Sequence, residues 1–90
     1  MKFTITHARD VIGHQIKVLV VAEAGETIAS VRTEMDGFQL GHDFLAPPEN
    51  QYSRTFPQSG GFTPGLDHIV KVTAATPDSK SQIASERWKD

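Results

Sequence analysis

Apolar and polar residues alternate most cleanly from His68 to Ala75, where Val70, Val72 and Ala74 fall on one side and Lys71, Thr73 and Ala75 on the other. A strand with this pattern buries one face and wets the other. Thr76-Pro77-Asp78-Ser79 then ends it as a turn. Phe3-Thr4-Ile5-Thr6 alternates in the same way and predicts a short first strand at a sheet edge. The β-branched run from Gln15 to Val21 predicts a central strand with Ile16, Val18 and Val20 on one face. Glu23-Ala24-Gly25-Glu26 interrupts, and alternation resumes from Thr27 to Met35, pairing Ala29, Val31, Thr33 and Met35 against Ile28, Ser30, Arg32 and Glu34. A helix over 14–35 is the alternative, but Val18-Leu19-Val20-Val21 is a poor helix interior and Gly25 falls near its middle.

Asp36-Gly37 is a two-residue hairpin signal, because both positions accept positive φ, and Phe38-Gln39-Leu40 reads as a short return strand. Residues 41–50 carry Pro47-Pro48 and read as an irregular connection, since two backbone donors are missing. Gln51 to Phe56 alternates again, with Tyr52, Arg54 and Phe56 on one face. The turn-rich stretch 57–65 leads into the strand described first, and Gln82 to Trp88 forms the last, with Ala84, Glu86 and Trp88 opposed to Ile83, Ser85 and Arg87. About seven short strands separated by turns predict an all-β fold, an antiparallel two-sheet sandwich rather than a barrel. Seven up-and-down strands would leave Met1 and Asp90 at opposite ends.

Ninety residues suit one domain over 1–90 with a single core. Without cysteine there is no disulfide framework, thiolate metal site or cysteine nucleophile, so packing alone must hold the fold. Nine basic residues against eleven acidic ones are scattered along the chain, which argues against general nucleic-acid binding. No apolar run suits a signal peptide or a membrane span, and membrane insertion is not expected.

Three stretches resemble the immunoglobulin-like and fibronectin type III-like modules of bacterial secreted and surface proteins and of phage particles. They are Thr27 to Gly37 with its Asp-Gly hairpin, Gly65-Leu66-Asp67-His68 opening the alternating strand to Ala75, and the turn and final strand from Thr76 to Trp88. The resemblance implies an immunoglobulin-like sandwich without catalytic activity or cofactor, acting as a structural, spacing or protein-binding module beside neighbouring domains or a protein partner. It favours an extracellular or cell-surface location. Many such modules place an acidic residue and then glycine after the penultimate strand, whereas this chain has Thr76-Pro77, which counts against a calcium site at that corner. The absent cysteine pair excludes the disulfide-bonded type.

No motif demands a particular chemistry. His7, His14, His42 and His68 form no His-x-His or His-x-x-x-His pair, so no metal site is expected; each reads as a solvated residue near a strand end or in a loop. Asp36, Asp43, Glu49, Asp67 and Asp78 fall in expected turns, where local backbone bonding explains them better than calcium does. Ser53, Thr55 or Ser59 with His42 or His68 and Asp43 or Asp67 supplies the residue types of a nucleophilic triad, but no strained nucleophile turn accompanies them. The aromatics Phe44, Tyr52, Phe62 and Trp88 are the candidate ligand-binding residues, because sugars and protein partners bind flat aromatic faces. Phe44 and Phe62 are expected to plug the ends of the sandwich from its loops, and Trp88 to close the edge of the core. A small carbohydrate-binding module using these aromatics is the alternative function.

Overall fold

The computed structural model describes residues 1–9, 14–58 and 67–89. Seven strands follow one another: β1 Lys2–Arg9, β2 His14–Val21, β3 Ile28–Met35, β4 Phe38–Glu49, β5 Gln51–Gln58, β6 Asp67–Ala75 and β7 Ser81–Lys89. They form two antiparallel sheets, β1-β2-β5 and β4-β3-β6-β7. The crossover occurs at Asn50. β4 and β5 are separated by this residue alone yet lie in different sheets, and the Ala22 N–H donates to the Asn50 carbonyl at 2.9 Å.

The alternating patterns become the two inner faces. Ile16, Val18 and Val20 from one sheet meet Val31, Val70, Val72 and Ala74 from the other, all fully buried. Tyr52 and Phe56 close one side of this core, and Ile5, Phe3 and Trp88 pack toward the other. Burying valine and isoleucine in this way is the main favourable contribution available to a chain without cross-links, about 1.5–3 kcal/mol for each fully buried side chain. The Asp36-Gly37 hairpin forms as expected, with φ of 51° and 86° and Met35 opposite Phe38.

Three expectations need correction. Residues 41–50 are not an irregular connection: β4 runs through Glu49, so the return strand is twelve residues long. As an edge strand it has one hydrogen-bonded neighbour. Its prolines lie where four residues, Leu45 to Pro48, bulge opposite Ala29 between the pairs Ser30↔Phe44 and Ile28↔Glu49, so the missing donors interrupt no central ladder. The same irregularity overturns the placing of Ile28, which was expected on the polar face and is fully buried. The first strand is also longer than Phe3–Thr6, because its ladder with β2 runs through all eight residues.

Met1 lies beside the turns that end β2 and β6, where its amino group is 3.3 Å from Glu23 Oε1. Lys89 lies opposite Asp67, at the far end of β7. The two therefore sit at opposite ends of a body whose long axis is 41 Å.

Candidate functional site

Two carboxylates join elements that lie far apart in the chain. Asp36, in the β3–β4 turn, reaches the start of β6: its N–H donates to the Ile69 carbonyl at 2.9 Å, its Oδ1 accepts from the Ile69 N–H at 2.9 Å, and its Oδ2 lies 2.7 Å from His68 Nδ1. The bond from Ile69 and then that from His68 hold the Asp36 carboxyl below the ordinary aspartate value. His68 is buried, against the expectation of a solvated histidine. Its register partner across β7 is Trp88, whose ring stacks on His7 with centroids 5.0 Å apart. This line of side chains seals one end of the core.

Asp43 does the same along the opposite side. It stands on β4, not in a turn, and crosses to the other sheet, where its Oδ2 accepts from the Tyr52 hydroxyl at 2.5 Å and its Oδ1 from Arg54 Nη1 at 2.6 Å. The Tyr52 bond, followed by the Arg54 bond, lowers the Asp43 pKa, while burial and the neighbouring carboxylate raise that of Tyr52. Arg54 in turn lies over the Phe56 ring, 4.7 Å from its centroid. Gly41 makes room for this stack, since a Cβ there would stand 2.8 Å from Phe56 Cε1.

These contacts separate the four candidate aromatics. Tyr52 is buried with its hydroxyl given to Asp43. Trp88, on β7, is half-buried against His7 of β1, as expected of a residue closing the core edge. Phe62 lies outside the described residues. Phe44 does not plug a loop end; it stands on the outer face of β4, 75% exposed, its ring tilted against His42 with centroids 4.4 Å apart. Phe44 and Trp88 occupy opposite edges of the four-stranded sheet, so these aromatics do not form one site.

Among the described residues the catalytic combination is dispersed in the same way, and Ser59 lies outside them. Asp43 is engaged by Tyr52 and Arg54, His68 by Asp36, and Ser53 and Thr55 point outward from β5. Among the described residues no group of three histidines or carboxylates could hold a metal ion. At the Met1 end, a cleft of about 740 Å³ opens between Gly25-Glu26-Thr27 and the 76–80 turn. That turn is held by local chemistry: the Thr76 hydroxyl donates to Asp78 and lowers its pKa, the Thr76 N–H donates to the Lys80 carbonyl at 2.8 Å, and Ser79 adopts a φ of 68°.

No protein-family model matches the sequence, and no curated protein matches it. Among solved structures, the fibronectin(III)-like modules of CbhA from Clostridium thermocellum are similar, with a TM-score of 0.50 and 17% identity over 93% of this chain and 92% of theirs. At that identity the likeness speaks for the fold, and with the strand order found here it makes this chain a fibronectin type III-like β-sandwich.

Proposed function

We propose that this chain is a non-catalytic module that spaces or presents its neighbours in a bacterial or phage surface or secreted assembly, with a protein partner or adjoining domains at its ends. The observation that carries this reading is the path of the terminal strands. Met1 and Lys89 leave at opposite ends of the 41 Å axis. A pull between them slides β1 along β2 and β7 along β6. These ladders have eight and nine residue pairs, and in shear their hydrogen bonds share the load instead of opening one by one. Such a body keeps its length under tension, which a spacer needs. Stretching the chain between reporter domains in a single-molecule force experiment should give one cooperative rupture that releases the whole domain. Gradual lengthening without a force peak would remove the support for a spacing role.

A second reading, a carbohydrate-binding role, is favoured by one observation. Phe44 offers a largely exposed aromatic ring on the outer face of the sheet, tilted against His42 and away from the core.

A further inference from the structure

The outer face of the four-stranded sheet aligns residues that are scattered in the sequence. Inward packing of Val31, Thr33, Val70 and Val72 turns Arg32 and Lys71 outward, and Arg87 lies opposite the outward-facing Ile69, so all three share one face with Phe44. The register sets their positions. Phe44 is opposite Ser30, Arg32 opposite Thr73, Lys71 opposite Ser85, and Arg87 opposite Ile69. Phe44, Arg32, Lys71 and Arg87 therefore form a diagonal, each one strand over and two residues along from the last. With strands about 4.8 Å apart and a rise of about 3.3 Å per residue, each step is about 8 Å and the line about 25 Å long.

We infer that this diagonal binds an acidic polysaccharide of the uronate type, with a sugar ring on Phe44 and carboxylates on Lys71 and Arg87. The inference rests on the carbohydrate-binding reading above and adds the ligand's chemical class. Phe44 gives a flat π face, suited to the C–H side of a sugar ring. Lys71 and Arg87 are exposed cations able to pair with ligand carboxylates, Lys71 standing opposite Glu34 in the register and Arg87 opposite Ile69. Arg32 is already shared with Glu34, whose Oε1 lies 3.0 Å from its Nε. The same face carries a hydroxyl for sugar contacts in Ser30, opposite Phe44. The ring contact separates the ligand from polyanions that lack one: an inorganic polyphosphate and an aliphatic acidic chain such as polyglutamate bring no ring to lay flat on Phe44. The whole chain carries a net charge of −2, so the attraction belongs to this face and acts over a Debye length, about 8–10 Å in physiological salt.

The test is calorimetric titration of the full chain with polygalacturonate, with its fully methyl-esterified form, and with polyglutamate. Polygalacturonate should bind and the other two should not, and binding should weaken as salt rises. Phe44→Ala should weaken it at least about tenfold, as should Lys71→Gln combined with Arg87→Gln, because each removes a principal contact. Lys17→Gln makes the same charge change on the outer face of the other sheet and should leave binding unaltered. All these positions are exposed, and unchanged melting temperatures will show that the variants fold. Equal, Phe44-dependent binding of the esterified polymer would overturn the acidic class while keeping the sugar reading. Equal binding of polyglutamate would overturn the role of the sugar ring. Binding to none of the three would overturn both.

Discussion

Replacing Ile16 with alanine will lower the unfolding free energy by about 2–5 kcal/mol, whereas Ile83→Ala will change it by no more than about 0.5 kcal/mol. The two residues carry the same side chain and both lie in β-strands. Ile16 is fully enclosed on β2, between β1 and β5 and beneath the opposing sheet, so truncation removes apolar contact and leaves a cavity in a close-packed interior. Ile83 is 60% exposed on the outer face of β7, an edge strand. Removing it restores little surface to water and opens no cavity. The comparison isolates burial from chemistry, and chemical denaturation with a shared slope for both variants measures it. Similar losses for both would mean that the outer face of β7 is covered.

The second large effect is expected at Asp36, where Asp36→Ala should cost about 2–4 kcal/mol. Three changes act together. The Ile69 N–H loses its side-chain acceptor, the buried His68 loses the oxygen beside Nδ1, and alanine must adopt the positive φ of 51° that aspartate tolerates more readily. Asp36→Asn keeps an oxygen for Ile69 and the same backbone tolerance, so it should cost less than half as much.

Asp36 also makes a pH signature. Its folded pKa lies below the ordinary value of 3.8, so the unfolded chain takes up this proton first as the solution becomes acidic. The stability it contributes is therefore complete well above pH 3.8 and is lost as pH falls through that value toward the lower folded one. Melting temperatures recorded as the pH is lowered through this range should fall less steeply for Asp36→Asn than for the parent chain. Asp43 titrates in the same direction and keeps part of the acid sensitivity in that variant. Parallel curves would mean that Asp36 is not held as described.

Several parts of this fold are local enough to be read from the chain. The alternation at 68–75 and the β-branched run at 15–21 each contain their own core face, and Asp36-Gly37 contains its own turn geometry. What escaped depends on neighbours. Pro47 and Pro48 disfavour a central strand, but only the sheet order makes β4 an edge that accommodates them in a bulge. Beside that bulge β3 itself breaks alternation, with Ile28 and Val31 both buried, which the sequence pattern alone does not encode.

The polar contacts escaped for the same reason. Asp43 meets Tyr52 and Arg54 across nine and eleven residues, and Asp36 meets His68 across thirty-two. Asp36 was legible as a turn residue and His68 as a strand-opening histidine. Nothing in their spacing pairs them. Phe44 was legible as a candidate aromatic, but its alignment with Arg32, Lys71 and Arg87 exists only once four strands are placed in register. The one sequence signal that would have helped is parity: all three cations fall on the polar positions of their strands.

The arrangement of the two sheets underlies both the spacing role and the diagonal on the outer face, and backbone proton NMR tests it directly. The predicted result is cross-strand Overhauser contacts joining β2 to β5 through Val18 and Arg54, and β3 to β6 through Thr33 and Val72, with no backbone ladder between β4 and β5. A continuous ladder joining β4 to β5 would contradict the account, because the chain would then turn back as a hairpin at Asn50 and the sandwich would not exist.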